Sequence, residues 1–334
     1  MTRGMAARRR FLAGAIAVAA APPRTSGAQP AGAAPFPSRP LTWIVPFGAG
    51  GITDAAARVA AVPLGRLLGQ AVVVENRPGA GGTIGAESLL RAPADGHTLL
   101  YGSQGPIAAA PALYRNLRYD PLRDFAPVHG LGAAPNLIVS PPARPWRTLA
   151  ELVEAARRAP ETITYGSPGV GTAPHLGAEL LQQIAGVRMT HAPYANGAQA
   201  LNDLIGGRLD VMWDYPVTSL VHVREGRLRA LAVTDERRIP IAPEVPTTTE
   251  AGLPGAVMLA WAGLFVARAT PPETIARLAT AARGALDDPK VVEFFNGSST
   301  VLWPEMGTDR FRDFLAAEVP RVAALIERSG ARPG

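Results

Sequence analysis

The feature that most constrains the fold is an alternation of short apolar runs with longer segments of helical periodicity, which begins near residue 41. Leu41–Phe47, Ala71–Val74 and Thr98–Gly102 are brief apolar runs bounded by Pro, Gly or Asn, as buried strands are. Asp54–Leu68 and Thr83–Arg91 have helical spacing and lie between them. This order predicts an α/β fold with a mostly parallel sheet, because parallel strands need long, usually helical, crossovers.

A second block with the same alternation follows the first, and the C-terminal part of the chain is long enough to complete the first block. We therefore predict two lobes with a mostly parallel sheet in each, a ligand cleft between them, and crossing strands near Leu131–Ser140 and Ala230–Asp235. The predicted first lobe is 29–132 plus 235–334, and the predicted second lobe is 133–234.

Local signals predict where helices begin or bend. Thr148 and Glu151 have the spacing of a capping box, which would start a helix that runs to Arg158. Pro63 and Gly65 interrupt the first predicted helix, so we expect a kink or an early stop there.

The first 28 residues have the three-part layout of an export signal. Arg8–Leu12, with the letters RRRFL, precedes a run of small apolar residues, and Ser26–Ala28 is a small-x-small cleavage site. Two adjacent arginines, a spacer and Phe-Leu resemble the twin-arginine signal of folded-protein export, with a general secretory signal as the alternative. We expect cleavage near Ala28 and a mature chain that works outside the cytoplasm.

Charge and composition exclude several classes of protein. Residues 1–28 carry five arginines and no acid, which leaves +1 of the formal charge of +6 for the rest of the chain. A nearly neutral body gives no electrostatic reason to expect nucleic acid as a partner. The absence of cysteine excludes a thiol nucleophile and a cysteine metal site, and the five histidines form no H-x-x-x-H pair. We therefore expect no metal and no cofactor.

Four loops directly follow predicted strands, which is where open α/β sheets bind ligands. These loops are Gly48–Asp54, Ser103–Pro106, Ser167–Thr172 and Asp214–Tyr215. In the first and third, glycines allow a close backbone approach, and Thr53 or Thr172 is predicted to cap the next helix. Bare N–H groups at such helix ends bind anions, so two loops facing each other could hold both ends of a diacid. A plain tight turn with an N-cap is the alternative.

Known nucleotide and hydrolase motifs do not match these loops. A phosphate-binding loop needs G-x-x-x-x-G-K-[ST], and Lys290 is the only lysine in the chain. Gly79–Gly85 departs from the dinucleotide pattern G-x-G-x-x-G by one residue. Ser103 and Ser167 each lie two residues after a tyrosine, so the G-x-S-x-G pattern of a nucleophile elbow is absent.

Two titratable residues beside these loops have open roles. His175 lies in the first turn after Thr172 and could donate to a bound carboxylate or hydrogen-bond its own loop. Asp214 follows a predicted strand, where a bare carboxylate would repel an anion. Our hypothesis is that Asp214 binds a donor group on the ligand, with pairing to a helix N-terminus as the alternative.

Seven motifs occur in the order VPFGAGGITD, VVVENRPGAGGTIGAE, ADGHTLLYGS, YDPLRDFAPV, HAPYANGAQALNDLIGGRLDVMWD, GRLRALAVT and VPTTTEAGLPG. This series resembles the tripartite tricarboxylate transporter substrate-binding proteins, the Bug-type periplasmic receptors. The resemblance covers about residues 38–330. It implies a type II, Venus-flytrap periplasmic binding protein without catalysis, which binds a small organic acid and passes it to integral membrane transporter subunits. We also expect a monomer.

The resemblance also implies which residues bind the ligand, through backbone amides of the first glycine loop and a loop of the second lobe. The matched positions are Phe47, Gly50, Gly51, Thr53, Asp54, Ser103, Gln104, Ser167, Gly169, Gly171, Thr172, His175, Tyr194 and Asp214.

Departures from the family pattern leave the ligand open. Relatives often have Lys or Arg after the "PY" motif, where this chain has Ala195–Asn196, and the usual "FDN" is Trp213–Tyr215 here. Both changes alter the wall that would meet the variable end of the ligand. Aromatic acids, amino acids and dicarboxylates all fit the pattern. The alternative functions are a sensor that engages a membrane kinase and an exported enzyme acting on small acids.

Overall fold

The structure, a computed structural model, describes residues 36–332, so the predicted export signal lies outside the described residues. Its strands are β1 (Leu41–Val45), β2 (Val72–Asn76), β3 (Thr98–Ser103), β4 (Phe125–Pro135), β5 (Leu137–Ser140), β6 (Thr164–Ser167), β7 (Thr190–Pro193), β8 (Val211–Asp214), β9 (Arg229–Val233), β10 (Leu259–Ala267) and β11 (Val301–Leu302).

Its helices are α1 (Ile52–Leu68), α2 (Thr83–Leu90), α3 (Ala110–Leu113), α4 (Pro121–Asp124), α5 (Leu149–Arg158), α6 (Ala173–Ala185), α7 (Gly197–Ile205), α8 (Pro216–Arg224), α9 (Pro272–Ala285), α10 (Pro289–Gly297) and α11 (Thr308–Ser329). A 3-10 turn at Ala80–Gly82 precedes α2, and a π-helical segment at Gln104–Ala109 precedes α3. Within the described part of the chain, no helix combines the length and the apolar character needed to cross a bilayer.

The strands form two mixed sheets. The first has the order β11-β4-β10-β3-β1-β2, with β1 parallel to β2 and β3 and the other pairs antiparallel. The second has the order β7-β6-β8-β5-β9, with β6 parallel to β7 and β8, and β5 antiparallel to its neighbours. The predicted α/β class with two sheets is confirmed, but the expectation of mostly parallel sheets is wrong. The chain leaves the first sheet on β4 and returns on the adjacent β10, so these strands must run in opposite directions.

Local signals account for some helix ends and fail for others. The capping box of α5 is present, because the Thr148 hydroxyl accepts the Glu151 amide and the Glu151 carboxylate accepts the Arg147 amide. The early stop expected at Pro63 is wrong, since α1 is continuous through that residue. Its buried stripe, which includes Leu64 and Leu68, packs in the core on both sides of Pro63, and this packing outweighs the lost helical hydrogen bond.

Both faces of each sheet are covered by an apolar core. Alternate residues of β1 show this arrangement, because Trp43 packs in the cluster under α1 and α9, whereas Ile44 packs in the cluster under α11. The second cluster fits closely around β10. A Cβ added to Gly263 would lie 2.1 Å from the ring of Phe311, so this strand position requires glycine.

The two crossings between the sheets differ in length. Outward, only Asn136 separates β4 from β5. The return from β9 to β10 is longer, and its residues Ile239, Val245 and Ala256 pack in the cores of the second sheet. The predicted division at residues 132 and 234 remains a prediction, and we propose that the second lobe extends to about residue 258.

Thr234 joins the crossing segments. Its side-chain oxygen accepts the Asn136 amide at 2.8 Å and its hydroxyl donates to the Met258 carbonyl at 2.8 Å. Its own amide donates to the Asn136 carbonyl at 2.9 Å. The residue is 1% exposed, so water cannot replace these partners. One hydroxyl therefore holds together the outgoing and returning segments.

We predict that Thr234→Val lowers the free energy of unfolding by about 1–3 kcal/mol, because the isosteric side chain leaves a buried amide and a buried carbonyl without their partner. Urea denaturation followed by circular dichroism measures the change. Thr234→Ser keeps the hydroxyl and should lose clearly less. Equal stability of the Val variant and the parent would show that the hydroxyl does not hold the crossing together.

Candidate functional site

A cavity of about 440 Å³ is lined by residues from both sheets, in the size range of small-molecule sites. Its walls come from the loops that follow β1, β3, β6, β7 and β8, which are the carboxyl ends of strands that form the parallel pairs. The first half of β10, part of β4 and the end of α10 complete the lining. The site therefore lies where open α/β sheets bind ligands.

The loop after β1 presents the start of α1 to the cavity. Gly50 has φ of +79°, which favours glycine, and Gly51 is the N-cap residue. The expectation that Thr53 caps this helix is wrong, because the two glycines make the turn and α1 begins at Ile52. No side chain caps the first amides of α1, so they are available to a ligand.

Asp54 holds this loop from behind. Its carboxylate accepts the Gly50 amide at 2.9 Å and pairs with Arg58 at 2.9 Å. Burial acts to raise the pKa of Asp54, but the Arg58 guanidinium and the Gly50 amide outweigh it and lower the pKa. Asp54 does not line the cavity, and its contacts make it a support for the loop.

In the second lobe, part of the loop Ser167–Thr172 packs against the first lobe. Val170 contacts the core cluster that includes Leu113, and a Cβ added to Gly171 would lie 2.7 Å from a methyl carbon of Leu113. The Ser167 hydroxyl is buried against His191, 2.7 Å from its Nε2. Thr172 is the N-cap of α6, but its hydroxyl donates to the Gly169 carbonyl and leaves the helix amides uncapped.

His175 is part of the same buried support. Its Nδ1 accepts the Gly171 amide at 3.2 Å, and its ring lies 4.3 Å from that of His191 between centroids. Burial and the neighbouring His191 lower the pKa of His175 to about 3, so the imidazole is neutral. Of the two roles open for His175, the structure shows the hydrogen bond to its own loop.

The start of α7 also faces the cavity. Asn196 is its N-cap and accepts the Gln199 amide at 3.0 Å. Tyr194 does not line the cavity, because its hydroxyl donates to Asp203 at 2.8 Å. Ala195 and Asn196, which follow the "PY" motif, do line it.

Asp214 lies at the end of β8 in the cavity wall and is 3% exposed. Burial raises its pKa to about 6, while hydrogen bonds from Thr218, Tyr215 and Ser219 act to lower it. The Thr218 hydroxyl donates to the carboxylate at 2.6 Å. The start of α8 therefore provides partners for Asp214, and binding of a ligand donor by Asp214 remains a prediction.

Gln104 and two tyrosines complete the polar part of the wall. The Gln104 carboxamide hydrogen-bonds to the backbone at the start of β10. It accepts the Trp261 amide at 3.0 Å and donates to the Leu259 carbonyl. Tyr101 and Tyr215 line the cavity from opposite lobes. Burial raises the pKa of both phenols, so they remain neutral hydrogen-bonding groups.

The structure brings together eight of the predicted residues, which are Phe47, Gly50, Gly51, Thr53, Ser103, Gln104, Thr172 and Asp214. The residues outside the lining are Asp54, Ser167, Gly169, Gly171, His175 and Tyr194. Sequence reasoning missed Tyr101, Trp261, Phe294 and Thr300, which also line the cavity. Tyr101 lies near the end of β3, so the rule that ligands bind at the carboxyl ends of strands could have identified it. The others come from a distant part of the chain and gave no local signal.

The lining carries almost no side-chain charge. Among its described residues none is Lys, Arg or His, and Asp214 is the only acid. Between residues 36 and 332, no group of three or more His, Asp or Glu side chains is placed to hold a metal ion. Apart from the Asp214 carboxyl, the polar groups that face the cavity are therefore hydroxyls, carboxamides and backbone amides.

Residues 56–331 match the model of the tripartite tricarboxylate transporter family receptor. The chain is 41% identical to a protein encoded in the tcbD-tcbE intergenic region of a Pseudomonas species, over 86% of this chain and 84% of that protein. It is 36% identical to protein BugT of Bordetella pertussis, over 91% of this chain and 94% of the relative.

Solved structures agree with this match. An R. palustris protein solved with adipate is 32% identical and has a TM-score of 0.83, over 90% of this chain and 100% of that one. MatC from Rhodopseudomonas palustris with bound malate is 33% identical and has a TM-score of 0.81, over 87% of this chain and 100% of that one. The chain thus has the two-lobed fold of periplasmic binding proteins and is a solute-binding protein rather than an enzyme. It belongs to the tripartite tricarboxylate transporter receptor family, within its Bug-type group.

Proposed function

We propose that this chain is a periplasmic receptor that closes two lobes on a small organic carboxylate and delivers it to a tripartite tricarboxylate-type membrane transporter. The observation that carries the proposal is the convergence of four helix starts on one cavity whose described lining has no cationic side chain. Helix α1 comes from the first lobe, and α6, α7 and α8 come from the second. The starts of α1 and α6 have no side-chain cap and present free amides, and each helix start adds a partial positive charge that favours an anion.

The chemistry of the lining and the ligands of solved relatives support a carboxylate. Backbone amides and the hydroxyls of Thr53 and Ser103 can donate to carboxylate oxygens directly or through water. Relatives of the same fold have been solved with adipate and with malate, which are both organic carboxylates. The family description names a tripartite tricarboxylate transporter, which supports a membrane transporter as the partner.

Closure follows from contacts with both lobes. A ligand that binds amides of α1 and of α6 or α7 at once stabilises the closed arrangement, whereas a ligand that touches one lobe does not. Asn136 lies at the outward crossing, and the return crossing lies near Met258, whose carbonyl accepts the Thr234 hydroxyl. We propose that the backbone changes direction at these two crossings when the lobes move. The closed form is then the one that a membrane partner recognises.

A thermal-shift screen of the mature protein tests the proposal directly. Malate, adipate and benzoate are compared with their neutral amides, malamide, adipamide and benzamide. At least one acid should stabilise the protein, by about 2.7 kcal/mol at a hundred times its Kd, because a ligand bound only to the folded state adds its binding free energy. Its amide should stabilise far less. Stabilisation by the amides equal to that by the acids would overturn the carboxylate proposal.

We predict that Gly51→Val abolishes carboxylate binding without unfolding the protein. A Cβ at Gly51 would meet only the Gly48 carbonyl, at 3.6 Å, so the added side chain fits the fold but crowds the amides of α1. Gly307→Val is the matched control, because Gly307 is also an extended N-cap glycine with open space around it and does not line the cavity. Calorimetry should show binding by the control alone. Undiminished affinity of the Gly51 variant would remove this loop from the site.

We predict that carboxylate binding strengthens as the pH falls from about 8 to about 5.5. The raised pKa of Asp214, about 6, would rise further beside a bound anion, so binding takes up a proton. In the free protein the same shift contributes stability below about pH 4 that is lost as the pH rises through about 6.

Asp214→Asn tests this linkage, because it keeps the shape and removes the titration. Calorimetry over this pH range should show a steep dependence for the parent and a nearly flat one for the variant. The opposite slope in the parent would instead indicate that ionised Asp214 binds an ammonium group of the ligand.

A further inference from the structure

One wall of the cavity is aromatic. Phe47 and Phe294 both line it, and both are half-buried against the core cluster that also contains Phe295. The rings of Phe294 and Phe295 meet edge to face, with centroids 5.6 Å apart and planes at 72°. Phe295 is 3% exposed and fixes the pair in the core, so Phe294 is held in place beside the cavity. From the second lobe, Leu201 of α7 adds an apolar side chain to the lining.

The polar groups of a short hydroxy acid make no favourable contact with these phenylalanine rings. Half-buried rings that face a cavity gain most from an apolar surface that excludes water from them. Flat aromatic surfaces suit phenylalanine rings in particular, because offset and edge-to-face contacts are favourable. The aromatic wall therefore favours a ligand whose part beyond the carboxylate is apolar and flat.

The charge of the cavity lining limits how many carboxylates the ligand can carry. The described lining holds one acid, Asp214, and no Lys, Arg or His. A single carboxylate can be met by helix amides, whereas a second one would need compensation in a cavity that already contains an acid and has no cation to offer. The electrostatics favour a monoanion.

Shape, rather than size, points in the same direction. Malate and benzoate have equal numbers of non-hydrogen atoms, so either leaves part of the 440 Å³ cavity to water. Benzoate places a flat apolar face against the phenylalanine rings, whereas malate places polar groups there.

Building on the proposed function, we propose that the ligands of this site are aromatic monocarboxylates. The carboxylate binds the amides at the helix starts, and the ring packs against Phe47 and Phe294. This narrows the classes that the sequence left open, since it ranks aromatic acids above dicarboxylates and amino acids.

Calorimetry at one pH tests the ranking with benzoate, phenylacetate, adipate and malate on the unmodified protein. Benzoate or phenylacetate should bind at least about tenfold more tightly than malate and adipate, as expected when an apolar body fills an apolar wall. Tighter binding of either diacid overturns this proposal and leaves the proposed function intact. If no acid binds better than benzamide, the proposed function fails as well.

Phe294→Ala locates the selectivity. It should weaken binding of the aromatic acids about tenfold and change that of malate less than about twofold, because the ring is a wall for the body of the ligand. Phe36→Ala is the matched control, a half-buried ring of the same core cluster that does not line the cavity. Melting temperatures of both variants show whether they are folded. Equal losses for aromatic acids and malate, or equal effects of the two variants, would contradict the role given to Phe294.

Discussion

Recognition in the proposed site depends on backbone amides at helix starts that no side chain caps. Gly51 and Thr172 are both N-cap residues, and neither accepts a helix amide with a side chain. An uncapped helix start is costly when buried, unless a ligand or water satisfies it. The described lining has no cationic side chain, so these amides are the groups available there to bind an anion. In the proposed complex the backbone therefore binds the carboxylate, and side chains contact the rest of the ligand.

The rest of the fold keeps these amides in place, and in the proposed function it allows the two lobes to approach. Asp54 and His175 each hold a glycine amide from behind, at Gly50 and Gly171, and so shape the loops without entering the cavity. Thr234 ties the crossing segments, and α11 contacts both lobes. Leu176 of α6 shares a core cluster with residues of α11 and of the first sheet. The lobes are thus linked through a few buried polar contacts and one long helix.

Sequence periodicity was sufficient for the order of most strands and helices, because it reports which face of a segment is buried. It also located the outward crossing, which the structure places at Asn136. Periodicity could not predict side-chain direction. Asp54, His175 and Tyr194 are predicted site residues, but their side chains hydrogen-bond to neighbouring protein groups and do not line the cavity. Phe294 reaches the cavity from a helix far along the chain, and only the packing of α10 beside α1 brings it there. Such residues can be identified only from the three-dimensional structure, because no local sequence pattern marks them.

The most direct measurement is a crystal structure of the protein with its tightest-binding acid. The account predicts carboxylate oxygens about 2.7–3.1 Å from backbone nitrogens at the start of α1 and at the start of α6 or α7, in the same cavity. It also predicts no cationic side chain within hydrogen-bonding distance of that carboxylate. A carboxylate paired with an arginine, or bound to the amides of one lobe alone, would contradict the claim that opposed helix starts bind the anion.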